Sequence, residues 1–165
     1  MRLPALLIAM GVLTAMAPAQ APAPVRLDEV RIVLHRSESA LRKVLGMPSV
    51  KLVPGEKRTA TRKEIIAEFQ RVTDVFRPRF RMTPRPYRTR PSAVEKANDA
   101  ATAKTVQGLA RFGLMAPVGP LAVGPADHLT LAQFGDEVGI LFSQLTFLTH
   151  QPDPRWTPNI QRLDG

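Results

Sequence analysis

Six arginines, Arg77, Arg79, Arg81, Arg85, Arg88 and Arg90, fall within RPRFRMTPRPYRTRP (77–91), fifteen residues with four prolines and no acid. Clustered guanidinium groups present forked donors that match phosphate or carboxylate, so the segment fits contact with a polyanion. The plainer alternative is a solvated connector, kept extended by Pro78, Pro84, Pro86 and Pro91. Phe76, Phe80 and Tyr87 interleave with the arginines, as base-stacking rings do in proteins that bind single-stranded nucleic acid.

Other chemistry is thinly represented. His35, His128 and His150 are far apart, and the chain has no cysteine, so metal-ligand spacing and a thiolate nucleophile are both missing. Asp136 and Glu137 are adjacent and project about 100° apart on a helix, a poor geometry for a shared acid/base role, and they read as part of a solvated face. Ser143 sits in an apolar helical pattern without a nucleophile motif, and neither a phosphate-binding loop nor a zinc-protease signature occurs. No cofactor is expected. The enzymatic alternative is a small periplasmic hydrolase or its accessory subunit, with an acid pair, or a histidine and an acid, assembled by the fold.

The N-terminus supplies an address. Arg2 precedes an almost continuous apolar run, Leu3 to Met16, and small residues follow, which reads as a secretory signal peptide cut after Ala19. Export to the periplasm, cell envelope or cell surface removes most of the nucleic acid from the stacking argument. It leaves anionic envelope polysaccharide or an envelope protein as the partner. The whole chain has 23 Lys+Arg against 14 Asp+Glu. Without Arg2 and the six arginines of 77–91 the balance is 16 against 14, so one basic segment lies on a near-neutral body. The 146 residues after the signal suffice for a single domain with one core.

The elements that must position these groups are mainly helical. In LDEVRIVLH (27–35) Val30, Ile32 and Leu34 alternate as in a strand, while Leu27, Val30 and Leu34 fit a helix, and the pattern allows both. Ser37 is a candidate cap for a short helix ending at Gly46 and Pro48. Thr61 and Glu64 form a capping box before Ile65, Ile66, Phe69, Val72 and Phe76, and Pro78 stops that helix and biases Arg77 towards extended backbone. Ser92 with Glu95, or Asp99, opens a helix ending at Gly113, with Leu114 folding back. Thr130 and Gln133 open another through about 148, in which Gly135 and Gly139 allow close helix approach. The tail 149–165 is proline-rich.

KLVPGEKRTATRKEIIAEFQRV (51–72) and LAVGPADHLTLAQFGDEVGIL (121–141) align through a proline, a polar link, a Thr-led capping box and a helix. A helix ending in glycine precedes each: RKVLGMP (42–48) and LARFGLMAP (109–117). This unit resembles the repeat of the S-layer homology domain, in which a T-R-x-E signature opens the second helix, and Thr61-Arg62-Lys63-Glu64 matches it. The resemblance implies an exported, non-catalytic module holding a protein to the envelope through anionic wall polysaccharide, usually as three repeats around a shared core. It also implies that Arg62 meets the polymer and Glu64 is structural. Two units are legible here, and the second has Leu131 and Gln133 where the family has Arg and Glu. The expected architecture is therefore a leader and extra element over 20–36, then a mainly α domain over 37–148. Its two helix-loop-helix units, about 37–76 and 93–148, are joined by the extended Arg/Pro connector.

Overall fold

The computed structural model describes residues 22–82 and 91–150, and it is mainly helical as expected. The signal, most of the tail, and Arg85, Arg88 and Arg90 lie outside the described residues. In order the elements are α1 (Leu27–Val44), α2 (Arg62–Phe76), a 3-10 turn (Arg77–Arg79), α3 (Pro91–Ala97), α4 (Ala100–Arg111), α5 (Pro120–Val123) and α6 (Leu131–Thr149).

Helix wins over strand in residues 27–35 because the apolar stripe continues at helical spacing. Leu27, Val30, Leu34 and Leu41 are all buried, and Ile32, which only a strand would need inside, is half-buried. Asp28 and Glu29 in the first turn and Arg42 and Lys43 in the last complement the helix dipole. Ser37 therefore lies inside an 18-residue helix and caps nothing, and the boundary expected between residues 36 and 37 falls in mid-helix.

Two glycines end their helices as expected. Gly46 and Gly113 take φ of +62° and +71°. The N–H groups of Met47 and Leu114 then reach back to the carbonyls of Arg42 and Leu109 at 2.9 and 3.0 Å, the closing bond of a Schellman motif.

The capping boxes of α2 and α6 form reciprocally. Thr61 Oγ1 accepts the Glu64 N–H at 3.2 Å and Glu64 Oε2 accepts the Thr61 N–H at 2.9 Å. Thr130 and Gln133 do the same at 3.2 and 3.0 Å. At α1 the cap position holds Arg26, which has no acceptor, so only the return half exists: Glu29 Oε2 accepts the Arg26 N–H at 2.9 Å. In all three, the residue before the cap (Val25, Ala60, Leu129) and the fourth helical residue (Val30, Ile65, Phe134) are both buried. That is the position pair of a hydrophobic staple, which fixes the angle at which the chain enters a helix.

These three helix starts meet. Val25 N–H donates to Leu129 O at 2.8 Å, Ala60 N–H to Val25 O at 3.0 Å, Leu27 N–H to Arg58 O at 2.9 Å and Arg62 N–H to Asp127 O at 2.7 Å. Each start thus bonds both others, closing a ring. Below it α1, α2 and α6 pack pairwise on one core, where Phe69 of α2 and Phe134 of α6 lie 6.5 Å apart between ring centroids. The N-terminal segment, expected as an extra element beside two units, is a third member of the ring.

Three further expectations are corrected. Arg77 is helical (φ −51°, ψ −41°), and Pro78 sits in the 3-10 turn that prolongs α2, because a proline needs no N–H at the start of such a turn. Ser92 is within α3, which begins at Pro91, and Asp99 alone caps α4, accepting the Thr102 N–H at 2.9 Å. Gly135 and Gly139 are exposed with open space around them, so they serve no close packing among the described residues.

Candidate functional site

Arg62 is the first residue of α2, placed there by the Thr61 cap, and the ring holds its backbone against Asp127. Its side chain turns inward and is only 7% exposed. Nη1 donates to Gly124 O, while Nη2 donates to Ala97 O and to Asn98 Oδ1, the last at 3.0 Å. Asn98 continues the network, its Nδ2 donating to Val94 O and Ala122 O, both at 2.9 Å. One guanidinium therefore ties the start of α2 to the α3–α4 junction and to the loop after α5.

All three acceptors are neutral. Among the described residues no carboxylate lies within ion-pair distance of Arg62, whereas Arg26, Arg31, Arg42, Arg58, Arg71 and Arg77 each have one. Carbonyl dipoles satisfy the donors but leave a buried unit charge uncompensated. Beside it lies an open groove of about 630 Å³ lined by Arg62, Ala93, Lys96, Val123, Pro125 and Asp127. The equivalent first residues of α1 and α6 are Leu27 and Leu131, so the charge belongs to one of the three helix starts only.

Two carboxylates near Arg62 in sequence or structure act as helix caps. Asp99, bonded by the Thr102 N–H and then by Lys63 Nζ at 3.0 Å, has its carboxyl held down at about 2. Arg58, followed by the Thr61 cap, holds the Glu64 carboxyl at about 2. Glu64 is thus engaged locally by the helix start and by Arg58.

Of the seven arginines singled out in sequence, the four that are described, Arg62, Arg77, Arg79 and Arg81, do not form one site. Arg62 and Arg77 stand at opposite ends of α2, 15 residues and about 22 Å apart along the axis. Arg77 pairs with Asp74 at 3.3 Å, while Arg79 and Arg81 are exposed without a carboxylate partner among the described residues. Phe80 packs on the core and Arg81 N–H donates to Leu148 O at 2.7 Å, so this part of the basic segment is docked to the body with its arginine side chains outward.

A second concavity, about 210 Å³, lies between α1 and α2 and is lined by Arg31, His35, Glu38, Glu68, Arg71 and residues 50–53. It collects a histidine and two carboxylates, but each acid is engaged by two arginines. Glu38 meets Arg42 at 2.8 Å and Arg71 at 3.1 Å; Glu68 meets Arg31 at 3.0 Å and Arg71 at 2.8 Å. No hydrogen bond among the described residues joins His35 to either acid.

Glu137 corrects the expectation of a solvated Asp136-Glu137 face. It is 2% exposed, and burial pushes its carboxyl up against the opposing pull of backbone N–H bonds from Ala116 and Leu121. It braces the loop that carries α5. Lys96, Asn98 and Asp127, which shape the groove, had no signal in the sequence, because only the fold brings 62, 96 and 127 together.

Comparison of the chain with protein-family models, characterised proteins and solved structures gives no match.

Proposed function

We propose that this chain is an exported, non-catalytic module that attaches to the cell envelope by binding an anionic polymer in the Arg62 groove. The observation that carries the reading is the guanidinium of Arg62: buried, held by three neutral oxygens, without a carboxylate at ion-pair distance among the described residues, and lining a groove with Lys96 and Asp127. A carboxylate or phosphate of a polymer entering the groove supplies the missing counter-charge, and in a partly desolvated place such a charge-assisted bond is strong. The ring of three capped helix starts supports kinship with S-layer homology domains, whose three repeats share one core. Arg79 and Arg81, at the far end of α2, add longer-range attraction for the same polymer.

The test is co-sedimentation with purified envelope across a salt series, comparing the parent with Lys96→Glu and with Arg62→Gln. Both variants are expected to bind at least about tenfold more weakly, as the loss of one charge-assisted contact implies. Parent-like sedimentation by both variants, with parent-like circular dichroism, overturns the groove reading. The hydrolase alternative is tested on the other concavity. It requires turnover of an envelope ester or glycoside that His35→Ala abolishes.

A further inference from the structure

The stretch between α1 and α2 is held by its backbone; Leu45 and Met47 pack on the core, whereas Val50, Leu52 and Val53 are exposed at the edge of the smaller concavity. Asp28 N–H donates to Glu56 O at 3.2 Å, Arg31 Nη1 to Pro54 O at 3.1 Å and Arg42 Nη1 to Pro48 O at 3.1 Å. Gly55 lies so close to the first turn of α1 that a Cβ there would come within 2.6 Å of the Leu27 carbonyl oxygen. The loop is therefore fixed in shape before it meets anything.

What it displays is unusual for a surface. Val44 and Val53 are 79% and 69% exposed, and Val50 and Leu52 are exposed as well. Lys43, Lys51 and Lys57 are exposed among them, with no carboxylate partner among the described residues. Arg36, Ala40, Lys43 and Val44 share one exposed stripe of α1, at helical spacing. No acid occurs between Glu38 and Glu56, and the exposed Glu56 is paired with Arg58 at 2.7 Å.

Lysine is depleted from the cores of protein interfaces, and a protein partner would leave these ammonium groups to be desolvated. Aliphatic residues set among lysines suit the boundary of an anionic bilayer, where the apolar groups enter beneath the headgroups and the ammoniums meet lipid phosphates. Among the described residues no helix is long and apolar enough to cross a membrane, so the contact is with its surface.

We infer that residues 43–57 form a peripheral docking surface for an anionic lipid bilayer, with Val44, Val50, Leu52 and Val53 entering the headgroup boundary and Lys43, Lys51 and Lys57 facing the phosphates. Each lysine adds about fivefold in affinity near such a surface. The rigid loop loses little conformational freedom on docking. The inference does not rest on the Arg62 groove, which lies elsewhere on the molecule.

The chain has no cysteine, so Val53→Cys in the full protein gives a unique attachment point for an environment-sensitive fluorophore. Emission is expected to shift to the blue with vesicles of phosphatidylcholine and phosphatidylglycerol, but not with phosphatidylcholine alone or soluble polyphosphate. The same label at Lys104→Cys on α4 is expected to report nothing. In the unlabelled protein, Val44→Ser with Val53→Ser lowers vesicle co-sedimentation at least about tenfold without changing net charge. An unshifted label on anionic vesicles, an equal shift with soluble polyphosphate, or full vesicle binding by the double serine variant overturns the inference. Lys96→Glu leaves every one of these readouts in place, which separates this surface from the polymer groove.

Discussion

The Val25 N–H donates to the Leu129 carbonyl at 2.8 Å, joining the entrances of the first and last long helices of the described chain. With the bonds from Ala60 to Val25 and from Arg62 to Asp127 it makes three separate helix starts one rigid object. That object fixes the position of Arg62, whose side chain bridges two further segments, the α3–α4 junction and the loop after α5.

Arg62→Lys keeps the charge and loses the planar fork, so Ala97, Gly124 and Asn98 can no longer all be served. The expected cost is about 1–3 kcal/mol in chemical denaturation, the penalty for leaving buried acceptors unsatisfied. A variant as stable as the parent contradicts the clamp.

Acid should weaken the fold in a defined window. Glu64 and Asp99 are held at about 2, below their ordinary values of 4.5 and 3.8. The unfolded chain therefore takes up protons first as pH falls, so this contribution is complete above about pH 5 and is lost on the way down to about 2. Glu64→Gln is expected to flatten the denaturation midpoint measured across that window.

The capping boxes of α2 and α6 were legible because a threonine and an acid or amide three residues apart satisfy backbone groups locally, whatever the rest of the chain does. The start of α1 was hidden because Arg26 occupies the cap, and arginine has no acceptor to advertise. Ser37 misled for the converse reason: a capping residue type can sit within a helix when the apolar stripe passes through it. The inward turn of Arg62 and the burial of Glu137 depend on residues 97–98, 116, 121 and 124, distant in sequence, so no local pattern encodes them. The pattern shared by the two threonine-led boxes did not extend to the third start, which has no threonine.

Glu137 gives a prediction of opposite sign. Its carboxyl is pushed up by burial, so the folded chain holds this proton more tightly, and stability falls as pH rises from the ordinary 4.5 to the raised value and is level above it. Glu137→Gln retains an acceptor for Ala116 and should be neutral or stabilising at pH 7. Glu137→Leu strands that N–H and should cost about 1–3 kcal/mol. Equal thermal melting of the two variants contradicts the bracing role.

Thr73 is fully buried, and its hydroxyl lacks a hydrogen-bond partner among the described residues. Thr73→Val replaces that hydroxyl with a methyl group of similar shape, and is expected to stabilise by about 1 kcal/mol in urea denaturation. A loss of stability would show that the hydroxyl is satisfied in solution.

The most direct measurement is amide hydrogen exchange at Val25, Leu27, Ala60 and Arg62 in the full chain. The ring predicts that these four amides exchange as slowly as those in the middle of α2, opening only when the whole domain unfolds. Exchange of Val25 and Leu27 at the rate of a free leader, with α2 still protected, would contradict the account.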